Sequence, residues 1–253
     1  MSLSHLWNIF ISNYPLFLRG AGVTIYISVI GTIVGLLIGM IMGIIRTIPH
    51  PEKGVKRFFL KTIHLITTCY VELFRGTPMI VQAMVFYYGS ALAFGWDLDR
   101  IAAAIFIVSI NTGAYMTEIV RGGIVSIDKG QFEGAAAIGM SHWQTMRIVV
   151  IPQVWRNILP ATGNEFVINI KDTSVLSVIS VTELFFQTKT VAGINFDYFG
   201  PYTVASIMYL VMTLTITRIL RRLERKLAGS DVYQLVGGNQ NQVQNIDKSK
   251  GVQ

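Results

Sequence analysis

Few side chains in this 253-residue sequence can hold or move charge, and most of the candidates sit inside apolar stretches. Glu165 lies nine residues after Arg156, about 13.5 Å along a helix that rises 1.5 Å per residue. Asp172 follows seven residues later and so falls on nearly the same helical face. Two carboxylates on one face offer counter-charge to an ammonium or another cationic group. No Lys or Arg stands one helical turn from Glu165, so its counterpart must be water, another helix or a bound molecule. Asp172 has two local alternatives: capping a short helix that begins at Thr173, or pairing with Lys171. A second polar stripe places Asn111, Tyr115 and Glu118 at i, i+4 and i+7. Glu118 is expected to pair with Arg121 one turn on, which leaves Asn111, Glu165 and Asp172 as the residues expected to line a polar path.

Other chemistries fit poorly. The four histidines, His5, His50, His64 and His142, fall at ends or loops, and none is placed for a nucleophile pair or a metal site. The His-Glu-x-x-His zinc spacing is missing. So is the Gly-x4-Gly-Lys-[Ser/Thr] loop whose backbone cradles phosphates, so the chain is expected to bind no cofactor of its own. Cys69 is the single cysteine, which excludes an intrachain disulfide.

The elements that must position these residues follow from composition. Apolar and aromatic residues make up 52 % and charged residues 14 %, against about 25 % charged in ordinary soluble domains; mean hydropathy is +0.52. A helix needs about 20 apolar residues to cross a bilayer core. Uncharged runs at 21–45, 76–96 and 198–217, and a run at 101–120 with one acid near its end, meet that length. The stretch 152–180 is apolar overall but carries Arg156, Glu165, Lys171 and Asp172, and reads as a fourth, functionally loaded span. The fold expected is an all-α integral membrane bundle of five spans.

Charge then sets orientation. With the N-terminus outside, 17 of the 21 Lys and Arg fall on the cytoplasmic side, from Arg46 to Arg75, from Arg121 to Arg156, and after Arg218. This is the bias that cytoplasmic loops show. The first cation, Arg19, comes too late for a cleaved signal, which needs positive charge ahead of its apolar stretch. Leu3, Leu6, Trp7, Phe10, Tyr14 and Phe17 recur at helical spacing, so 1–19 is expected to be an amphipathic helix in the outer interface, leading into a permeation domain at 20–228. Residues 229–253 are rich in Gly, Asn and Gln without periodicity and are expected to be disordered in the cytoplasm.

Three local patterns refine the picture. Gly31, Gly35, Gly39 and Gly43 recur every fourth residue, a strip that lets two helix backbones approach closely in a membrane. Thr77 and Pro78 have the chemistry of a helix start, as N-cap and first helical residue, with Arg75 as an interfacial cation. In the inner connection, a small-residue helix over 131–138 is stopped by Gly139, and Ser141 restarts a second with Gln144 completing a capping box. This helix–turn–helix, about 131–150, would either let a partner surface close over it, with Glu133 as a charged anchor, or rest on lipid headgroups.

Glu133, Ala135, Gly139, Val149, Ile151 and Pro152 resemble the Glu-Ala-Ala, three residues, Gly, nine residues, Ile-x-Leu-Pro motif of bacterial ATP-binding cassette (ABC) importer permeases. Gly134 replaces the motif's first Ala, and Val149 and Ile151 are conservative stand-ins. The segments Leu73-Phe74-Arg75-Gly76-Thr77-Pro78, Asn111-Thr112-Gly113-Ala114-Tyr115 with Glu118, Arg121-Gly122-Gly123, and Lys171-Asp172-Thr173-Ser174 are similar to those of the polar amino acid branch. The likeness covers roughly 20–226. It implies a type I importer half in the bacterial cell membrane, paired with a second permease copy or homologue and fed by an amino-acid-binding protein. It further implies that Glu133, Ala135 and Gly139 dock a cytoplasmic ATPase, and that ATP is held by that partner subunit. The alternative from another class is a gated channel that needs no ATPase.

Overall fold

Apolar side chains recurring at helical spacing over long stretches leave the chain no use for strands. A computed structural model describes residues 2–49 and 54–249, and these form helices joined by short turns, with no strand among them. The elements are α1 (Leu3–Ile45), α2 (Val55–Gly76), α3 (Met79–Phe94), α4 (Arg100–Val125), α5 (Lys129–Ala137) and α6 (His142–Gln144), then a π-helical turn (Thr145–Val150), α7 (Ile151–Asp172), a 3-10 segment (Thr173–Ile179), α8 (Leu184–Asn195) and α9 (Phe199–Ser249). His50, Lys53 and Lys250 lie outside the described residues. The backbone of α9 continues helically beyond its apolar part, Phe199–Lys226, into the segment read as disordered.

Among the described residues three helices are long and apolar enough to cross a membrane: α1, α4 and the first part of α9. Two further spans arise only if bent pairs are joined, α2 with α3 at 109° and His142–Ile179 with α8 at 56°. The uncharged run 76–96 is therefore not a free-standing span; it is the second limb of a broken one. Of α4's apolar stretch 61 % is buried, against 11 % of α9's, so α4 is the axis of the bundle and α9 lies on its outside.

The glycine strip explains how α1 reaches that axis. Gly31 faces Val108, Gly35 Thr112, Gly39 Met116 and Gly43 Val120. The offset between partners is constant along the seam, so α1 and α4 run in the same direction. Two parallel helices with α2 and α3 between them require the broken pair to make one net return. Along the same α4 residues the order of α7 reverses, with Thr112 against Asn169 and Met116 against Thr162, so α7 is antiparallel to α4. Asn169 is buried, and its amide nitrogen donates to Thr32 of α1 (2.8 Å) and Thr112 of α4 (3.0 Å), tying three helices at one level. Such interhelical hydrogen bonds contribute about 0.6 kcal/mol each in membrane bundles.

The N-terminal segment differs from the expected interfacial helix. No break separates it from the first span: α1 is continuous over 43 residues, about 65 Å at helical rise and twice the bilayer core. Ile9 and Phe17 are buried with Leu184, Val191 and Val204, so this end packs on α8 and α9. Asp197 accepts hydrogen bonds from the backbone of Phe199 and Gly200 and lies 3.0 Å from the His5 imidazole, clamping the start of α1 to the start of α9. The capping bond to Gly200 and the contact with His5 hold the Asp197 carboxyl below its usual range. Leu3, Trp7 and Tyr14 form the exposed face.

The seam makes a prediction. A Cβ on Gly39 would stand 2.7 Å from the Met116 carbonyl carbon, whereas one on Gly31 meets only the Val108 side chain and, at 3.7 Å, the Ser109 nitrogen. Overpacking of this kind costs about 1–3 kcal/mol, a fall in Tm on the order of 5 °C. Both Gly→Ala variants should show it in thermal unfolding. Val108→Ala should restore most of the loss for Gly31→Ala, while Met116→Ala should not rescue Gly39→Ala, because there the obstacle is backbone.

Candidate functional site

A helix that stops at membrane depth leaves its last carbonyls without partners, and lipid supplies none. Three side chains answer this where α2 ends. Thr77 Oγ1 donates to the Leu73 carbonyl (2.8 Å), and the Gln82 amide donates to the carbonyls of Phe74 (3.0 Å) and Thr77 (2.9 Å). Asn111 Nδ2 donates to the Phe74 carbonyl (3.2 Å) and to Gln82 Oε1 (3.0 Å). Thr77 thus faces back into α2, where a cap on the following helix was expected; α3 starts at Met79 without a side-chain cap. Its hydroxyl goes to the carbonyl end because donors are what that end lacks. Asn111 lies at mid-height of α4 as expected, but its amide is committed to the break.

The break also moves Arg75. On α2 the chain passes His64 at the Ile45 carbonyl, Thr67 at Met42 and Tyr70 at the Ile110 carbonyl (2.6 Å) before Phe74 meets Asn111. It therefore climbs from the end of α1 to the middle of α4. Arg75 is accordingly at the depth of Tyr115, with its guanidinium carbon 5.3 Å from the ring centroid. The interfacial position expected for it is occupied instead by an ion-pair cluster, in which Glu118 takes Arg121 (2.9 Å) as predicted and also Arg46 of α1.

On α7, Glu165 falls between Thr162, which touches Met116, and Asn169, which holds Thr112; this sets Glu165 level with Tyr115. It is half-buried, and Asp172, two turns further on, holds the exposed last position of α7. Asp172 makes no capping bond to the 3-10 segment, and Lys171 beside it forms no salt bridge with it among the described residues. Arg75 and Asp172 are exposed and Glu165 is half-buried, whereas the Asn111 amide is turned to the break. Among the described residues no group of three or more His, Cys, Asp or Glu could hold a metal ion.

A second break, between the 3-10 segment and α8, went unnoticed in the sequence. Glu183 is fully buried; its carboxylate accepts from the backbone of Phe185 (2.8 Å) and Phe186 (2.7 Å) and from the Tyr209 hydroxyl (3.0 Å). Thr24 of α1 accepts from the Leu184 N–H. A lone acid in an apolar run was the available signal for Glu183, as a lone amide was for Gln82 and Asn169.

The inner connection folds much as read. Asp128 caps α5 through the Gly130 N–H (2.7 Å), and Gly139, at φ +80°, ends it, with the Met140 N–H donating to the Ala135 carbonyl and that of Gly139 to Ala136. Ser141 and Gln144 form the reciprocal capping box. Glu133, Ala137 and Ile138 are exposed, whereas Ala135 is buried beneath α5 against the chain's own π-helical turn. Ala135 therefore faces inward: a nine-residue helix lying on its own support must turn one side to it.

With this geometry in place, comparisons locate its kin. The model for the binding-protein-dependent transport system inner membrane component matches residues 35–229. The glutamine transport system permease protein of Escherichia coli (strain K12) is 38 % identical over 222 residues, 87 % of this chain and 97 % of the relative. The arginine transport system permease protein of Bacillus subtilis (strain 168) is 35 % identical over 66 % of this chain and 76 % of its own. A crystal structure of an amino acid ABC transporter with histidines aligns with TM-score 0.77 at 34 % identity, covering 89 % of this chain and all of that one. An inward-facing methionine ABC transporter shares the fold, with TM-score 0.70 at 18 % identity over 90 % of this chain and 99 % of that one.

The break predicts a division of labour. Gln82→Leu strips donors from the Phe74 and Thr77 carbonyls, at roughly 1–3 kcal/mol for an unsatisfied group, and should lower Tm more than Asn111→Ala. Uptake by Asn111→Ala, corrected for folded protein, should keep its substrate affinity; a changed affinity at unchanged Tm would return Asn111 to the path lining.

Proposed function

We infer that this chain, which belongs to the family of binding-protein-dependent transport system inner membrane components, is the membrane-spanning permease subunit of an ABC importer for polar amino acids. The observation that carries this is near-complete coverage of an amino-acid permease, 97 % of its length at 38 % identity. The unpaired carboxylates on α7 give that reading its chemistry: Glu165 and Asp172 would meet the ammonium or cationic side chain of a solute crossing between α4 and α7. We propose five spans with the N-terminus outside and the C-terminus in the cytoplasm, the two bent pairs each counting once, in a bacterial cell membrane.

Energy would enter through α5. Partner ATPases that bind and hydrolyse ATP close on its exposed side, where Glu133 is the charged anchor and Ala137 and Ile138 supply a small apolar contact. Gly139 contributes by stopping the helix. The π-helical turn, Thr145–Val150, packs against α5 and runs straight into α7, so displacement of α5 would be passed to the helix carrying Glu165. A ligand can shift a conformational equilibrium only by its differential affinity for the two states; here the ATPase supplies that difference. A second permease copy or homologue would complete the path, and an outer binding protein would deliver the substrate.

Glu133→Lys and Ala137→Asp should abolish co-purification of the ATPase while Tm and membrane levels stay normal. Ala135→Leu should instead lower Tm, because its side chain points into the protein. Normal transport by Glu133→Lys would remove α5 as the docking element. A second test separates importer from channel: in liposomes containing the permease without ATPase, labelled L-glutamine and L-arginine should not cross, and flux down a gradient would establish the channel reading.

A further inference from the structure

We infer that the basic end of α9 is a binding site for anionic phospholipid of the inner leaflet, its exposed arginines taking the phosphate headgroup and the apolar residues before them the acyl chain. This goes beyond the permease reading and rests only on its placement of the C-terminus in the cytoplasm.

The sequence gathers Arg218, Arg221, Arg222, Arg225 and Lys226 into nine residues. At about 100° per residue all five fall within an arc of about 140°. Leu220 and Glu224 lie opposite that arc, and the fold uses them there: they stand against Gly163 of α7 and, with Thr32 and Ile33 of α1, line an apolar cleft. The five cations are therefore turned away from the protein, and all are exposed. None makes an ion pair among the described residues, and Glu224, the one acid of this stretch, is on the packed side. Arg225 Nε donates to the Arg221 carbonyl (3.2 Å), which sets its stem along the helix.

What precedes the cations on the same face identifies the partner. Ile207, Val211 and Leu214 lead into Arg218, Arg222 and Arg225 at steps of four, three, four, four and three residues, one unbroken stripe. All three apolar side chains are exposed. A stripe that is apolar along its length and cationic at one end is complementary to a molecule with an apolar tail and an anionic head; an acidic protein surface would match the arginines alone. Depth agrees. Gly163, against which Leu220 packs, follows Thr162, and Thr162 touches Met116, two residues or about 3 Å from Glu118. The arginines therefore flank the level of the Arg46–Glu118–Arg121 cluster, where α1 ends. An open groove of about 430 Å³ runs beside them, lined by Ile219, Arg222, Leu223, Arg225 and Lys226, so apolar and cationic groups meet in one depression. Arginine suits this position because its methylenes can stay in hydrocarbon while the head reaches phosphate.

The test titrates the full-length permease in mild detergent with phosphatidylglycerol, or with phosphatidylcholine of the same chains, and counts bound lipid by native mass spectrometry. Each cation near an anionic surface strengthens attachment about fivefold. Wild type should therefore prefer phosphatidylglycerol by about tenfold or more, and the preference should vanish at about 1 M salt, where charges are screened beyond about 3 Å. Arg222→Gln with Arg225→Gln should weaken phosphatidylglycerol by about tenfold or more and leave phosphatidylcholine and Tm unchanged. The same pair changed to Lys should retain most of the affinity, and the charge-matched Lys56→Gln with Lys61→Gln, at the start of α2, should have little effect. Equal weakening by the two glutamine pairs would reduce the effect to net charge and overturn the inference. So would unchanged phosphatidylglycerol affinity in the α9 pair, or a wild-type preference that survives high salt, a measurement that needs no variant. Loss of ATPase co-purification by the α9 pair with lipid preference intact would give this face to an acidic protein partner, and the inference falls. Micelles have no sides, so the titration reads the site independently of orientation. Lys226→Cys in a Cys69→Ser background should resist labelling from outside the cell; labelling there would overturn the cytoplasmic placement and the inner-leaflet assignment together.

Discussion

Within a bilayer no water is available to a backbone group that loses its helical partner, and every irregularity in this chain has to carry its own substitute. The two breaks show the two signs of that requirement. Where α2 ends, orphaned carbonyls face inward, and the substitutes are donors: the amides of Gln82 and Asn111 and the hydroxyl of Thr77. Where α8 begins, orphaned N–H groups face inward, and the substitutes are acceptors: the Glu183 carboxylate and the Thr24 hydroxyl. A negative group at a helix N-terminus is also favoured by the helix dipole, which helps a fully buried acid remain tolerable.

These satisfied breaks matter because they decide where in the bundle α2 stops and α8 starts. At the α2 end the chain turns by 109° and exposes the last turn sideways. Arg75 is the residue left there. Facing it, α4 and α7 are fixed by close packing and by the Asn169 link to Thr32 and Thr112. The glycine seam draws α1 against α4 over four successive turns, so α1, α4 and α7 form a frame of set register. The broken elements and α5 hang on that frame. α5 reaches α7 through the π-helical turn, a geometry that is rare and found mostly at functional sites.

Patterns that act along one helix were legible in the sequence. The four-residue glycine period named the seam, Gly139 and Ser141 with Gln144 marked the stop and restart around α5, and Glu118 with Arg121 followed from helical spacing. What depended on a partner from elsewhere in the chain was not. Arg75 looked interfacial because the uncharged run begins just after it; its depth is set by Tyr70 and Phe74 meeting α4, forty and thirty-seven residues away. The amphipathic pattern of 3–17 was read correctly as a period, but a period names no surface, and the apolar side faces α8 and α9. Ala135 shares the motif with Glu133 yet sits on the opposite side of a short helix, which sequence spacing two residues apart allows.

The sparse charge of this chain is thus organised in three grades. Most cations mark one side of the membrane. A second set is neutralised locally, as Glu118 is by Arg46 and Arg121, and Asp197 by backbone N–H groups with His5 alongside. The remainder, Arg75, Glu165 and Asp172, makes no ion pair among the described residues, with Arg75 and Asp172 exposed and Glu165 half-buried. Ionisable groups at membrane depth are costly unless something answers them, and on the permease reading these are the charges that a crossing solute would meet.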